Sequence, residues 1–451
     1  MSILSRKAYI VLLLGDISIL YVSVWFALSV RSFSLPSPEN AIVHLVSFSL
    51  LFGVWFIVYF ISGLYGRYTV LFRKQLPHII FTAQAVNIGI AALFFFLIPI
   101  FLITPKTVLV LYLFISTVLL YFWRVHMYPH LLVRREIGAV LIGTGLELTE
   151  LAEEVNKDPL YPLEFRAIIH PELSSSEEVK QTIQLLIESG EVTTIVADMS
   201  NHSLDDLLSF IYDITFVKHQ AEFIDVRRLY QEIFERVPLS LIDYRWLLQY
   251  MSLDQKLVYS ASKRSADIVA SVIFGILSLA LYPFIILAIK LEGTGSIFYV
   301  AQRVGLGGEL FSFPKFRSMT GVDTDEEVLE TKHTVTRVGA LLRRTRLDEL
   351  PQLWSVFKGD MSFIGPRPEF PALVDVYKKE IPYYNLRNLV KPGLSGWAQI
   401  THDNHAHHKA DVDSTVEKLS YDLFYIKERS LWLDFYIAAL TLKTILTKRG
   451  S

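Results

Sequence analysis

Four long apolar stretches follow one another in the first third of the chain: Ala8–Val30, Ile42–Ile61, Ile79–Ile103 and Thr107–Trp123. Each is about long enough to cross a hydrocarbon core ~30 Å thick, the last only just. A single run of this kind reads equally well as a buried core helix, but four in series predict a membrane-spanning bundle over residues 1–135. Basic residues orient it. Arg6, Lys7, Arg67, Arg73, Lys74, Arg124, Arg134 and Arg135 fall on one side and Arg31 and Lys106 on the other, which puts the N-terminus and everything after the fourth helix on the cytoplasmic side. Asp16, inside the first run, is costly in lipid and is expected to face a neighbouring helix. No cleavable leader is expected, since Ala8–Val30 is longer than a leader's apolar core and lacks a small-residue cleavage site.

From about residue 136 to residue 255 the period changes. IGAVLIG, FRAIIH, VTTIVAD and AEFIDV read as strands, and LTELAEEV, EEVKQTIQLLIESG and LDDLLSFIYDI as helices between them. This alternation predicts a small α/β, Rossmann-like domain with a parallel sheet. Its first turn, Gly143-Thr144-Gly145, has Leu148 where a dinucleotide fingerprint places its third glycine, and the second strand ends in His170-Pro171 with no acid to hold a ribose. A structural or regulatory role is therefore favoured over cofactor binding.

A fifth apolar stretch, Ile268–Ile289, is interrupted by Pro283, preceded by Lys263 and Arg264 and followed by Lys290. Positive charge at both ends and a helix-breaking proline favour a re-entrant helix that enters and leaves by one leaflet. Near the C-terminus, SLWLDFYIAALTLKTILTKR is too short and too charged to span; it suits a helix lying on the membrane surface, with Trp432, Phe435 and Tyr436 on or near its apolar side.

Composition supports this picture. Of 451 residues 52% are hydrophobic, and the mean hydropathy of +0.38 is too high for an ordinary soluble protein. A net charge of −2 argues against a nucleic-acid partner. The absence of cysteine excludes disulfides and thiolate metal sites, and allows a reducing compartment.

The candidate chemistry lies in the last third. RRTRLDELPQL sets Asp348 beside Glu349 among Arg343, Arg344 and Arg346. The ordinary reading is a solvated helix face with Arg344 and Asp348 paired four residues apart, worth a few tenths of a kcal/mol. Lys315, Arg317, Arg367, Arg387 and Lys391 recur through the same region, several beside glycine or proline in rigid turn contexts such as Gly365-Pro366-Arg367-Pro368. Rigid cations suit a phosphate clamp. A diphosphate ester resists attack because its oxygens are negative, so arginines and a divalent cation must neutralise it while one carboxylate attacks phosphorus and another holds the metal. Adjacent residues on a helix point about 100° apart, which fits two different roles for Asp348 and Glu349 better than one shared role.

The order KFRSM, RLDELPQL, FKGDMSFIGPRP and KPGLSGWAQ resembles the bacterial sugar transferases, the polyprenyl-phosphate hexose-1-phosphate transferases, over about residues 263–448. With the helical and Rossmann-like regions added, the chain is similar to the long members of that family, the undecaprenyl-phosphate galactose or glucose phosphotransferases. The resemblance implies three regions: transmembrane helices over 1–135, the Rossmann-like domain over 136–255, and a monotopic α/β phosphoglycosyl transferase domain over 256–451 with its re-entrant helix at 268–289, broken at Pro283. It implies transfer of a hexose-1-phosphate from a UDP-sugar to undecaprenyl phosphate with release of UMP, at the cytoplasmic face of the bacterial inner membrane, initiating exopolysaccharide, O-antigen or capsule synthesis. Asp348 would be the nucleophile of a ping-pong reaction and Glu349, with Asp348 beside it, would be associated with Mg²⁺. The family's phosphate-binding residues fall on Lys315, Arg343, Arg367 and Arg387, to which Arg317 of KFRSM is added here. The sequence departs from the family pattern at Pro314, at Arg346 in place of the usual serine, and at Ile400–His405 after WAQ.

Several motifs point elsewhere. HDNHAHHKAD, with His402, His405, His407 and His408, lacks metal-site spacing and reads as a solvated loop. Tyr259-Ser260-Ala261-Ser262-Lys263 has the YxxxK spacing of short-chain dehydrogenases, but Lys263 and Arg264 read better as anchors of the membrane segment. Two rival functions stay open: a sugar-nucleotide dehydratase or epimerase, which predicts tight NAD(P) binding, and an inactive scaffold, which predicts tolerance of Asp348 substitutions. The N-terminal two-thirds can also serve as a homodimer interface or a nucleotide sensor.

Overall fold

The computed structural model describes residues 6–65, 76–97, 106–128, 137–157, 161, 163–198, 204–251, 257–320, 334–401 and 411–446. Arg67, Arg73, Lys74, Arg134, Arg135 and the histidine run lie outside the described residues. By packing, the chain forms two units: Met1–Leu141 with Ala152–Ile168 and Thr182–Ile195, and Ile142–Leu151 with Ile169–Gln181 and Val196–Ser451.

In the first unit the apolar runs form α1 (Arg6–Ser32), α2 (Pro38–Ile61), α3 (Leu76–Leu97) and α4 (Lys106–Phe122), the last continuing into a π turn at Trp123–Met127. The windows Ile10–Ser32, Ala41–Ile61 and Thr107–Met127 are long and apolar enough to cross a membrane, whereas that of α3 shortens to Ile79–Phe95. Leu20, Phe48, Trp55, Tyr59, Ile80 and Tyr112 are buried where the helices meet. Ile10, Leu14, Val46, Phe81 and Phe114 are equally apolar yet exposed. A helix that is hydrophobic all round fits a lipid surround. Asp16 faces its neighbours as expected. It is fully buried, accepts a hydrogen bond from Arg124 Nε at 3.2 Å and one from the Tyr65 hydroxyl at 2.6 Å, and pairs with Arg124 Nη2 as well. Arg124 Nη1 donates to the Leu64 carbonyl at 2.6 Å.

The alternating region folds as β1 (Ile137–Ile142), α5 (Leu146–Lys157), β2 (Leu163–Ile169), α6 (Ser176–Glu188), β3 (Thr194–Ala197), α7 (Asp205–Tyr212), β4 (Glu222–Asp225) and α8 (Val226–Phe234). The strands form one sheet in the order β2-β1-β3-β4. Its inner strands, β1 and β3, are buried almost throughout, as apolar runs without alternation require.

In the second unit a 3₁₀ turn at Leu239–Leu241 leads into α9 (Tyr244–Tyr250). Val237, Ile242, Trp246, Leu247 and Met251 belong to the same buried cluster as Ile364, Val374, Trp397, Leu419 and Leu423. Then come α10 (Leu257–Leu279) and α11 (Tyr282–Glu292), bent by 57°. Pro283 lies in the first turn of α11; it lacks an N–H, and its ring clashes with the carbonyl four residues back, so the helix cannot run straight through. Ile273, Phe274, Ile276, Leu277, Phe284 and Leu287 are exposed along this bent pair.

The remainder comprises β5 (Phe298–Val304), β6 (Leu310–Phe316), α12 (Arg337–Arg344), α13 (Gln352–Lys358), β7 (Ser362–Ile364), α14 (Pro371–Glu380), β8 (Gly393–Ser395), α15 (Trp397–Thr401), α16 (Val412–Glu428) and α17 (Leu431–Leu446). The Tyr259/Lys263 pair ties α10 to α17: the hydroxyl and the ammonium each reach Asp434 Oδ2 at 2.8 Å, while Tyr425 donates to Asp434 Oδ1 at 2.8 Å. Asp267, also on α10, accepts from Ser362 Oγ and the Phe363 N–H, both at 3.1 Å, so the bent pair is fastened to β7.

Candidate active site

The carboxylate pair sits at a break between two helices. Thr336 caps α12, its hydroxyl accepting from the Gly339 N–H at 2.9 Å. The helix stops at Arg344, and Arg346 takes the left-handed conformation with φ +56°. Arg344 and Asp348 therefore share no helix, and the simple four-residue pairing expected from sequence has no helical face to form on. Leu347–Glu349 makes one 3₁₀ turn before α13, and Leu347 and Leu350 pack near Ile289, Phe316 and Leu342. These two leucines seat the turn, so Asp348 points inward at 5% exposure.

The helix that follows is held from behind. Gly359 ends α13 in the left-handed region at φ +97°, which costs glycine nothing. Arg264 donates to the carbonyls of Val356 at 2.7 Å and Phe357 at 2.6 Å, satisfying acceptors that a helix end leaves open.

Lys315 reaches the pair from β6, which runs antiparallel to β5 with Lys315 opposite Tyr299. Arg367 reaches it from the loop after β7. Strands β7 and β8 are parallel and come so close that a Cβ on Gly393 would lie 2.1 Å from the Gly365 nitrogen. The loop is then fixed by backbone bonds from Gly365 N–H to the Ser395 carbonyl and from Gly393 N–H to the Pro366 carbonyl, both 2.9 Å, and from Val304 N–H to the Glu369 carbonyl, 3.1 Å.

Glu349 Oε1 lies 3.2 Å from Lys315 Nζ, 3.2 Å from Arg367 Nη2 and 3.6 Å from Arg346 Nη1. Burial alone would push this carboxyl up, but Arg367, Lys315 and Arg346 outweigh it and hold it down at about 2. Asp348 goes the other way: burial pushes it above the usual aspartate range, Lys315 opposes, and the charge on Glu349 adds to the rise. Its Oδ1 is buried without a hydrogen-bond partner. Burial in turn lowers the Lys315 ammonium, against the pull of Glu349.

The structure thus brings Lys315, Asp348, Glu349 and Arg367 together. Arg343 is exposed, with Nη1 3.5 Å from Met319 Sδ, and its charge is felt at Asp348. Arg317 is turned away from the pair and donates to the carbonyls of Ile289, Gly293 and Thr294 at 3.1, 2.9 and 2.7 Å, closing the end of α11. Arg387 is buried and reaches Arg367 only through its carbonyl, at 3.0 Å. Arg346 was not among the expected site residues. The signal for it lay in the sequence, as an arginine where the resembled family usually has serine.

Among the described residues no group of three or more histidines, aspartates or glutamates is placed to hold a metal. An octahedral cation that keeps several waters and takes one or two carboxylates together with substrate phosphates does not need such a group. The orphaned Asp348 oxygen beside Glu349 is the kind of ligand it would use, so the residues present fit Mg²⁺. A cavity of about 290 Å³ lies elsewhere in the second unit, lined by Gly143, Thr144, Leu148, Asp198 and Ser240–Asp243. It contains none of the residues around Asp348.

Residues 258–448 match the family model described as bacterial sugar transferase. The chain is 43% identical over 217 residues to a UDP-N-acetylgalactosamine-undecaprenyl-phosphate N-acetylgalactosaminephosphotransferase of Aeromonas hydrophila, covering 47% of this chain and 49% of that one. It is 40% identical over 183 residues to the UDP-glucose:undecaprenyl-phosphate glucose-1-phosphate transferase of Escherichia coli (strain K12), covering 40% and 39%. A protein with the same description from Caulobacter vibrioides is 38% identical over 188 residues, 41% of this chain and 70% of that one. The chain spans about half the length of the Aeromonas protein and less of the Escherichia one.

Proposed function

Because this chain belongs to the bacterial sugar transferase family, we propose that it moves a hexose-1-phosphate from a UDP-sugar to undecaprenyl phosphate and releases UMP. One observation carries the mechanism: two adjacent carboxylates are pushed in opposite directions, Glu349 held ionised by three cations and Asp348 buried with one oxygen unpartnered. An unpartnered carboxylate is available as a nucleophile.

In this reading the Asp348 carboxylate attacks the β-phosphorus of the donor. The bond from that phosphorus to the bridging oxygen breaks, and UMP leaves with the electron pair. A phosphate oxygen of the lipid acceptor then attacks the same phosphorus, the aspartyl–phosphorus bond breaks, and Asp348 returns as a carboxylate. Lys315, Arg346 and Arg367 surround Glu349 with three positive charges against its one, so the site receives a diphosphate with local charge already in excess. Arg343 extends that field at the surface. Glu349, with Asp348 beside it, would hold Mg²⁺, which when bound supplies neutralisation of the donor's phosphate oxygens.

The membrane placement belongs to the same reading. The bent pair α10–α11 enters and leaves by one leaflet, its exposed apolar side in lipid, and α17 lies at the surface with Trp432 and Phe435 exposed. The active site then faces the cytoplasm at the inner membrane, which the N-terminal bundle spans, and the β1–β4 region is a Rossmann-like domain with a structural or regulatory role.

Two experiments test these statements. Purified protein with undecaprenyl phosphate and Mg²⁺ is expected to release UMP from one of UDP-glucose, UDP-galactose or an N-acetylated relative, and a donor-derived phosphosugar should be trapped on Asp348 when the lipid is withheld. Release of UDP would mean ordinary glycosyl transfer and a wrong mechanism. For the membrane segment, the chain has no cysteine of its own. Single cysteines at Ser262 and Gly293 should label from the same side of sealed vesicles, and labelling from opposite sides would make the segment a span.

A further inference from the structure

Arg387 has the sequence context of a substrate-binding residue but lacks the exposure for that role. Its side chain is 8% exposed, and that of Asp422, 2.9 Å from its Nη2, is 3% exposed. The same Nη2 donates to the Arg367 carbonyl at 3.0 Å, while Nη1 donates to the Tyr384 hydroxyl at 2.7 Å and lies 3.8 Å from Glu369. Both terminal nitrogens are thus engaged inside the protein. The cavity that Arg387 shares with Arg367, Gly305, Glu369 and Asn388 is about 10 Å³, room for roughly one water molecule and too small for a phosphate group. Arg367, by contrast, is 34% exposed and touches Glu349 at 3.2 Å.

We infer that Arg387 and Asp422 are positioning residues: Asp422 on α16 holds Arg387, and Arg387 holds the backbone of Arg367 so that its guanidinium lies on Glu349. This inference rests on the reaction proposed above. The loop is clamped on its other side by Arg303, whose Nη1 is 3.4 Å from the Pro368 carbonyl and whose guanidinium lies over the Phe370 ring. Tight clamping from both sides is what a group placed to within a fraction of an ångström requires. Removing the charge of Asp422 leaves Arg387 buried without its counter-ion, and Glu369 becomes its nearest alternative, a partner that draws it off the Arg367 carbonyl.

Asp422 also gives the device a pH signature. Burial pushes its carboxyl up to about 6, against the lowering effect of Arg387 and with the raising effect of Glu369; Lys418 is the other charged group facing it, and Tyr384 faces Arg387. Acidification through that range discharges Asp422 and loosens Arg387, so activity should fall with a limb that Asp422→Asn lacks.

The test is a double-mutant cycle on UMP release by the full chain in membranes. Asp422→Asn and Arg387→Lys should each lower kcat about tenfold or more with KM for the donor changed less than about twofold. Repeated in an Arg367→Lys background, each should cost less than about twofold, because it acts through a side chain already altered. Additive losses, or a raised KM with kcat intact, would overturn the inference and make Arg387 a donor contact. Asp422→Glu should restore part of the rate. Hydrogen–deuterium exchange resolved by peptide mass spectrometry gives a second readout without turnover. Peptides covering Gly365–Phe370 should exchange faster in Asp422→Asn than in the wild type, because the Arg367 backbone is no longer held. Unchanged exchange there would also overturn the inference. If the wild type releases no UMP from any donor, the reaction reading fails and the exchange still decides this one. Should Asp422→Asn not fold, Tyr384→Phe removes one acceptor of Arg387 while keeping the ring, and the same two readouts apply.

Discussion

Asp348 and Glu349 are adjacent in sequence and opposite in charge behaviour, because burial acts on both while the cations concentrate on one. Asp348→Asn should remove the nucleophile and lower UMP release about a thousandfold or more; substantial activity in a clean preparation would end the covalent mechanism. Asp348 must be ionised to attack, and its pKa is raised above the ordinary 3.8. The kcat/KM profile should therefore fall with acidification at a higher pH than an ordinary aspartate would give, and the limb that persists in Asp422→Asn belongs to Asp348. Glu349 makes the opposite prediction for stability. Its folded value of about 2 lies below the ordinary 4.5, so its contribution, roughly 3 kcal/mol at most, is present above about pH 4.5 and lost as pH falls through 2. The melting difference between wild type and Glu349→Gln should narrow between about pH 5 and pH 3; a constant difference would show that the three cations do not stabilise the ionised form. At this scale the sequence disclosed the residue types but not their orientation. Lys315 and Arg317 are two positions apart, yet one reaches Glu349 and the other closes α11, a division that depends on where the strand ends rather than on any motif.

Elements were easier to read than the joints between them. The four strands of the alternating region and the three helices between them lie within two residues of their expected bounds, because buried β1 and β3 are continuous apolar runs and the helices carry a clear apolar stripe. Pro283 announces its bend, since proline has only a few places in a helix. The break at Arg346 is silent, since arginine is not a turn residue and nothing in RRTRLDEL says that the helix stops. A side chain at φ +56° carries a cost of about 1–2 kcal/mol that glycine avoids. Arg346→Gly should therefore keep or raise the melting temperature while lowering activity a few-fold, the modest loss fitting a guanidinium that is 46% exposed. Arg346→Val keeps the strain without the charge and should lower both. Equal activity in Arg346→Gly would show that its charge does not serve the site.

At the scale of the whole molecule, hydropathy alone marked the apolar helices α1–α4. It did not place residues 237–251, whose apolar side chains join the core around Trp397 and Leu423, because an amphipathic segment does not say which neighbour will cover it. Asp16 was legible as a residue in need of a partner, but the partner was not. Arg124→Leu should cost about 3–5 kcal/mol by leaving a buried charge uncompensated, and Asp16→Leu in the same chain should recover most of it. Failure to recover would mean that the pair matters for its hydrogen bonds to Tyr65 and Leu64 rather than for charge balance. The pair also sets a clock on biosynthesis. Its members are 108 residues apart, and at roughly 5–20 residues per second a ribosome takes about 5–20 s to deliver the second after the first. During that interval α1 carries an acid with no counter-charge, so its stable place in the bundle becomes contingent on the arrival of its fourth helix.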